Sequence, residues 1–191
     1  MNWTNADQEY LLKFRKTVDS DEIKVKEQVK RKLIENKYII HVLNNKKLEE
    51  ADAEPDDYFG VCILPYYLIK PTQTEVQNFI CFTVGFDKVY SRNKAMERLQ
   101  LTFEILCEQK NAIDTDTSVA RQDLLSALIK DQFNYTNIFG AKMKCVENKE
   151  LVVDTNYAAR ELVFEQLTDN NLVKSTGVLN TTRLANKEIV T

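Results

Sequence analysis

Hydrophobic and polar residues alternate along residues 98–108. Leu99, Leu101, Phe103, Ile105 and Cys107 take every second position, Arg98, Gln100, Thr102, Glu104 and Glu108 stand between them, and Leu106 alone breaks the polar side. A period of two over that length predicts one strand, roughly 35 Å long at about 3.3 Å per residue, with one face buried and one wet. Upstream, Phe79, Ile80, Cys81, Phe82, Val84 and Phe86 make residues 78–86 apolar on both faces, which predicts a strand covered on both sides, central in a sheet or at an interface. The polar connection 87–94 is too short for a parallel crossover, so the two strands form an antiparallel hairpin.

Elsewhere the period is helical. Residues 7–18 place Tyr10, Leu11, Phe14 and Val18 at helical spacing after a Thr4 or Asn5 cap. Asp19-Ser20-Asp21-Glu22 then opens a second helix that carries Val25, Val29, Leu33 and Ile40 and ends near Asn44-Asn45. The turn and cap cluster 114–118 precedes a third, with Val119, Ala120, Leu124, Leu125, Leu128, Ile129 and Phe133 on one face. Residues 139–146 and 157–167 alternate moderately and predict a second antiparallel hairpin. Residues 46–57 read as an acidic loop, and residues 58–69 as an apolar arm in which Pro65 and Pro71 confine any strand to an edge or a short piece. Leu172, Val173, Val178, Leu179, Leu184 and Ile189 have no sustained period and read as an extended tail, either solvated or docked on a neighbour.

These elements add up to an α+β fold: a mostly antiparallel sheet of about four strands packed against helices, two N-terminal and one central. The expected organisation is a single domain over residues 1–168, helical over 1–45 and sheet-and-helix over 58–168, with a tail at 169–191. A chain of 191 residues hides roughly 70% of its unfolded surface and needs no disulfide or metal to fold.

Composition narrows the chemistry. Only 4 glycines and 3 prolines argue against a turn-dense sandwich or a glycine-rich nucleotide loop. The 26 basic and 29 acidic residues are interspersed, giving a net charge of −3 and no global field for nucleic acid or an anionic membrane. The start Met1-Asn2-Trp3-Thr4-Asn5 lacks a secretory signal and no 18-residue apolar run occurs, so a soluble protein made in a cytoplasm, with no membrane partner, is expected. Cys62, Cys81, Cys107 and Cys145 have 18, 25 and 37 residues between them, which fits no zinc or redox spacing, and they read as small buried hydrophobes.

Candidate chemistry is sparse. Lys24, Lys26, Lys30, Arg31, Lys32 and Lys37 give the second helix a basic flank, but Glu22, Glu27 and Glu35 sit among them and no aromatics are interleaved, so a solvated face outweighs a nucleic-acid surface. Glu49, Glu50, Asp52, Glu54, Asp56 and Asp57 lack the order of a calcium loop and read as a linker. The single histidine, His41, lies in an apolar helical run and reads as a helix histidine rather than a base. Glu104 with Glu161 or Glu165 is the one carboxylate pairing that facing strands would create, and it is weak grounds for a hydrolase. No catalytic, cofactor or metal residue is assigned, and the expectation is a protein that is not an enzyme.

One block carries a likeness. Val119-Ala120-Arg121-Gln122-Asp123-Leu124-Leu125, then Phe133-Asn134-Tyr135-Thr136-Asn137-Ile138-Phe139-Gly140, then Tyr157-Ala158-Ala159-Arg160-Glu161-Leu162-Val163-Phe164-Glu165, after a long strand, resembles small neck and tail-completion proteins of tailed bacteriophages. The likeness spans about residues 78–172. It implies a virion structural protein, a tail terminator or head-to-tail connector at the neck or tail end, working as a homo-oligomeric ring of about six copies that meets other neck, connector or tail-tube proteins. It supplies no catalytic residues, and gives Arg121, Asp123 and Asn137 the role of capping or bracing the third helix. Ring closure needs complementary surfaces, for which the candidates are Arg98, Gln100, Thr102 and Glu104 on the wet strand face, Tyr66 and Tyr67 in the arm, and Leu172, Val173 and Leu179 in the tail. The alternative is a small regulatory nucleic-acid-binding protein whose Lys30, Arg31 and Lys32 contact phosphates; the leading reading needs no sequence-specific nucleic acid.

Overall fold

The structure, a computed structural model, describes residues 4–12, 21–67, 77–88, 96–152 and 156–169. Its helices are α1 (Asn5–Leu12), α2 (Asp21–Ile34), α3 (Lys37–Leu43), α4 (Lys46–Glu50) and α5 (Arg121–Phe133), and its strands β1 (Ile63–Leu64), β2 (Phe79–Lys88), β3 (Met96–Glu108), β4 (Lys144–Leu151) and β5 (Tyr157–Asp169). They form an α+β fold with one five-stranded mixed sheet in the order β1-β2-β3-β5-β4. The strand legible from the 98–108 alternation is the middle one. β2, β5 and β4 follow antiparallel pairings, and β1 adds a parallel pair, Ile63 against Ile80 and Leu64 against Cys81. β1 is the short edge piece expected, since Pro65 directly after it has no N–H to extend the ladder.

Alternate residues of each strand serve different faces. Ile80 and Phe82 of β2, Leu101, Phe103 and Ile105 of β3 and Leu162 and Phe164 of β5 join Val29 and Leu33 of α2, Ile39 and Leu43 of α3 and Leu125, Ile129 and Phe133 of α5 in the main core. Phe103 lies at its middle, its ring 5.3 Å from Phe133, 5.8 Å from Phe164 and 6.1 Å from Phe82. The opposite face holds a smaller cluster made entirely of strand residues, Leu64, Phe79, Cys81, Leu106, Tyr157 and Ala159. Leu106 interrupts the polar period because it belongs there, and β2 is apolar on both sides because it supplies both clusters.

Several expected elements change at their ends. The second helix is two: Asn36 adopts extended backbone and its side chain accepts the N–H groups of Tyr38 and Ile39 at 3.0 and 3.4 Å, which stops α2 and starts α3. α3 does end where expected, at Asn44 in the left-handed region (φ 48°), and Asn45 caps α4 by accepting from Leu48 N–H. The acidic stretch is therefore not a plain loop. It holds α4 and a 3-10 turn, Pro55–Tyr58, whose Asp57 carboxylate accepts Glu54 N–H at 3.0 Å and whose Tyr58 is buried. The second hairpin starts later than residue 139. Tyr135 N–H donates to Met143 O and Met143 N–H to Thr136 O, so residues 135–143 fold into a loop that returns Phe139 onto Phe133, and β4 begins at Lys144. Of the first helix, residues 13–18 lie outside the described residues, as does the tail from residue 170.

The 114–118 cluster caps no helix directly; α5 starts at Arg121 behind Ala120, which offers no side-chain cap. Asp114 instead accepts from Thr117 N and Oγ1 at 3.0 and 2.8 Å and pairs with Arg121 at 3.0 Å, both side chains at most 4% exposed. Arg121 also donates to Asn111 O and Val42 O, so it ties the end of α3 and the β3–α5 connection to α5. The hydrogen bond from Thr117, chiefly, holds the Asp114 carboxyl below its ordinary range, with Arg121 adding to it. Arg121 is thus a brace, as the resemblance implies. Asp123 braces differently, pairing with Arg160 of β5 at 2.7 Å, while Asn137 stands in the turn after α5 with its carbonyl accepting Gly140 N–H.

Candidate assembly surfaces

The sheet face opposite the main core puts charge in cross-strand reach. Arg98, Gln100, Thr102 and Glu104 share it because they are alternate residues of one strand. On β5, Gln100 faces Glu165 and Glu104 faces Glu161. Arg98 Nη1 and Gln100 Nε2 both reach Glu165 Oε1, each at 3.4 Å. Lys149 of the edge strand β4 lies 2.9 Å from Glu161 and 2.7 Å from Glu147. Those two carboxylates, Glu147 first, raise the Lys149 ammonium to about 12. The result is a band of acidic side chains bridged by single cations across three strands.

The expectation that this face is wet is corrected in degree. Arg98, Gln100, Glu104 and Glu108 are half-buried and Thr102 is 8% exposed, because neighbouring strands flank β3 on both sides. Tyr66 and Tyr67 are not part of the band. They follow β1 at the sheet edge, exposed at 54% and 44%, just beyond Pro65, whose carbonyl accepts from Lys26 Nζ at 2.9 Å. Leu172, Val173 and Leu179 lie outside the described residues.

The remaining candidates have structural partners. Glu104 and Glu161 do stand side by side, as facing strands require, but Glu161 is bridged to Lys149 on the sheet face. His41 is exposed and its Nε2 lies 3.1 Å from Asp116. Cys62, Cys81 and Cys107 are buried and Cys145 half-buried, all free; burial pushes the Cys107 thiol up to about 12, and raises Cys62 even though Asn45 donates to its sulfur. On the basic helix, Lys30 pairs with Asp56 at 2.8 Å and lies over the Phe59 ring, and Arg31 reaches Glu35 at 4.0 Å. Lys26, as noted, is turned to a backbone carbonyl. Such ties fit the solvated-face reading of that helix better than a phosphate track. Among the described residues no three His, Cys, Asp or Glu side chains gather as a metal-ligand group, and no helix is long and apolar enough to cross a membrane.

The cross-strand ion pairs could not be read from the sequence, since they depend on register; their signal was only the charge content of β4 and β5. A family model described as YomW matches residues 36–166, from the cap of α3 to the last third of β5. No curated protein matches the chain.

Proposed function

The chain belongs to the YomW family, whose phage-type name supports a phage-associated protein, and from that premise we propose that it is a virion structural subunit, a tail terminator or neck connector that works by ring assembly with copies of itself. The observation that carries the reading is the polar band on the sheet face. A rigid sheet presents, on the face opposite the main core, charged side chains fixed in a row and held by partly exposed pairs that are each worth only about 0.2–1 kcal/mol. Such pairs open at small cost and re-form across an interface, where charge arrangement sets orientation and partner choice. Recruitment would be to the neck, connector or tail-tube proteins of the same particle, made with it in the host cytoplasm.

Native mass spectrometry and electron microscopy, on the chain alone and with connector and tail-tube proteins, test this. Rings of about six copies, or rings that form only on those partners, are the expected result. Arg98→Glu should prevent their formation while leaving the fold intact. A chain that stays monomeric in every mixture and joins neither partner sinks the proposal.

A further inference from the structure

A groove of about 440 Å³ runs between α3 and α5, away from the polar band. Val42, Leu124, Ala127 and Leu128 give it an apolar lining, and the exposed Asp116 and Asp131 line it too, beside His41. Asp116 lies 3.1 Å from His41 Nε2 on the same groove, while Asp131 has no ion-pair partner among the described residues. An apolar trough edged by acids selects an apolar segment that also carries cations, in the manner of a helix laid in a groove.

The chain itself contains one such segment. α1 leaves Tyr10, Leu11 and Leu12 exposed at 59%, 52% and 44%, and the sequence continues Lys13-Phe14-Arg15-Lys16. Four apolar residues, Tyr10, Leu11, Leu12 and Phe14, stand there beside three basic ones, Lys13, Arg15 and Lys16. Three adjacent large apolar side chains about half exposed on a short helix are a liability for an isolated molecule and an asset for one that docks. In the sequence, eight residues, 13–20, stand between α1 and α2.

We propose that the N-terminal segment of one copy docks in the α3/α5 groove of the next copy. This rests on the ring-assembly reading and gives it a head-to-tail contact, the arm of one subunit in the groove of the next, a heterologous interface that closes by rotation. Tyr10, Leu11 and Phe14 fill the apolar trough, and Lys13, Arg15 and Lys16 meet Asp116 and Asp131.

Disulfide trapping in the full chain tests it. One preparation carries Leu11→Cys, a second Ala127→Cys, each with Cys145→Ala to remove the half-buried thiol. On mixing under mild oxidation, interchain disulfides between the two should exceed by about tenfold those formed when the second preparation carries exposed Val146→Cys instead. Asp131→Lys should cut that yield about tenfold, and Lys13→Glu with Arg15→Glu should restore it. A further chain that carries both Leu11→Cys and Ala127→Cys and crosslinks only within itself means that the arm folds back on its own groove, and overturns the proposal. Equal yields in the two mixtures overturn it as well. If rings nevertheless form, only the arm docking has failed; if no ring forms under any condition, the assembly reading has failed independently of the groove.

Discussion

The two faces of the sheet use the same strands for different purposes. On one, Phe82, Phe103 and Phe164 interlock with Phe133 of α5, with every contact dependent on its neighbours. On the other, Arg98, Glu165, Lys149 and Glu161 make contacts that each have a ready substitute in water. Burial is what separates them: close-packed apolar contacts are lost outright when an atom is removed, whereas half-exposed ion pairs exchange one set of partners for another. A residue's position along β3 from Arg98 onward, odd or even, therefore decides which face it serves: odd residues enter the main core, and even ones form the polar band, apart from Leu106, which packs in the smaller cluster.

The sharpest way to break that contrast is at Phe103. Phe103→Ala should cost about 3–5 kcal/mol in denaturant unfolding, and Leu106→Ala in the smaller opposite cluster about 2 kcal/mol, near the lower end for buried leucines. Equal losses would mean that the second face is packed as tightly as the first.

Next in size is the ion pair on the helix side. Arg121→Ala leaves Asp114 buried without its cation, and a loss of about 3–5 kcal/mol is expected. Acid probes the same pair. Asp114 is held below its ordinary value of 3.8, so its contribution is complete above that pH and is lost as pH falls through the depressed value. The stability gap between the parent chain and Asp114→Asn should be constant above about pH 4.5 and close only in stronger acid.

Smallest are the polar-band substitutions. Arg98→Ala and Lys149→Ala should each change stability by less than about 1 kcal/mol while weakening assembly, the inverse of the Phe103 result. A large stability loss at Arg98 would erase the distinction between the faces.

How much of this was legible in the sequence follows from which interactions are local. The alternation along β3 and the double-sided apolarity of β2 are properties of a strand and its two surfaces, so they translated directly into a central hairpin. Asn36 does not register as a break in the sequence because Val29, Leu33 and Ile40 keep the helical period through it, and the cap wins by a side-chain hydrogen bond that periodicity does not carry. Asp114 looked like a helix cap because it lies just before an apolar helical run; its actual partner, Arg121, is seven residues on and already in the helix. The interface candidates on β3 could be placed on one face by parity alone. Their partners, Glu165 and the Lys149–Glu161 pair, depend on a register that only the folded chain sets, and the groove between α3 and α5 depends on two helices meeting that lie far apart in sequence.

The placement of the four thiols has a practical side. Three are sealed in the two apolar clusters and the fourth, Cys145, sits half-open where the pairing of β4 with β5 shifts register between Cys145 and Glu147. A thiol reagent should therefore consume one equivalent from the native protein at a rate set by that strand irregularity, and three more only as fast as the molecule opens globally. The chain carries its own clock for unfolding, readable without a label, a ligand or an assay of function.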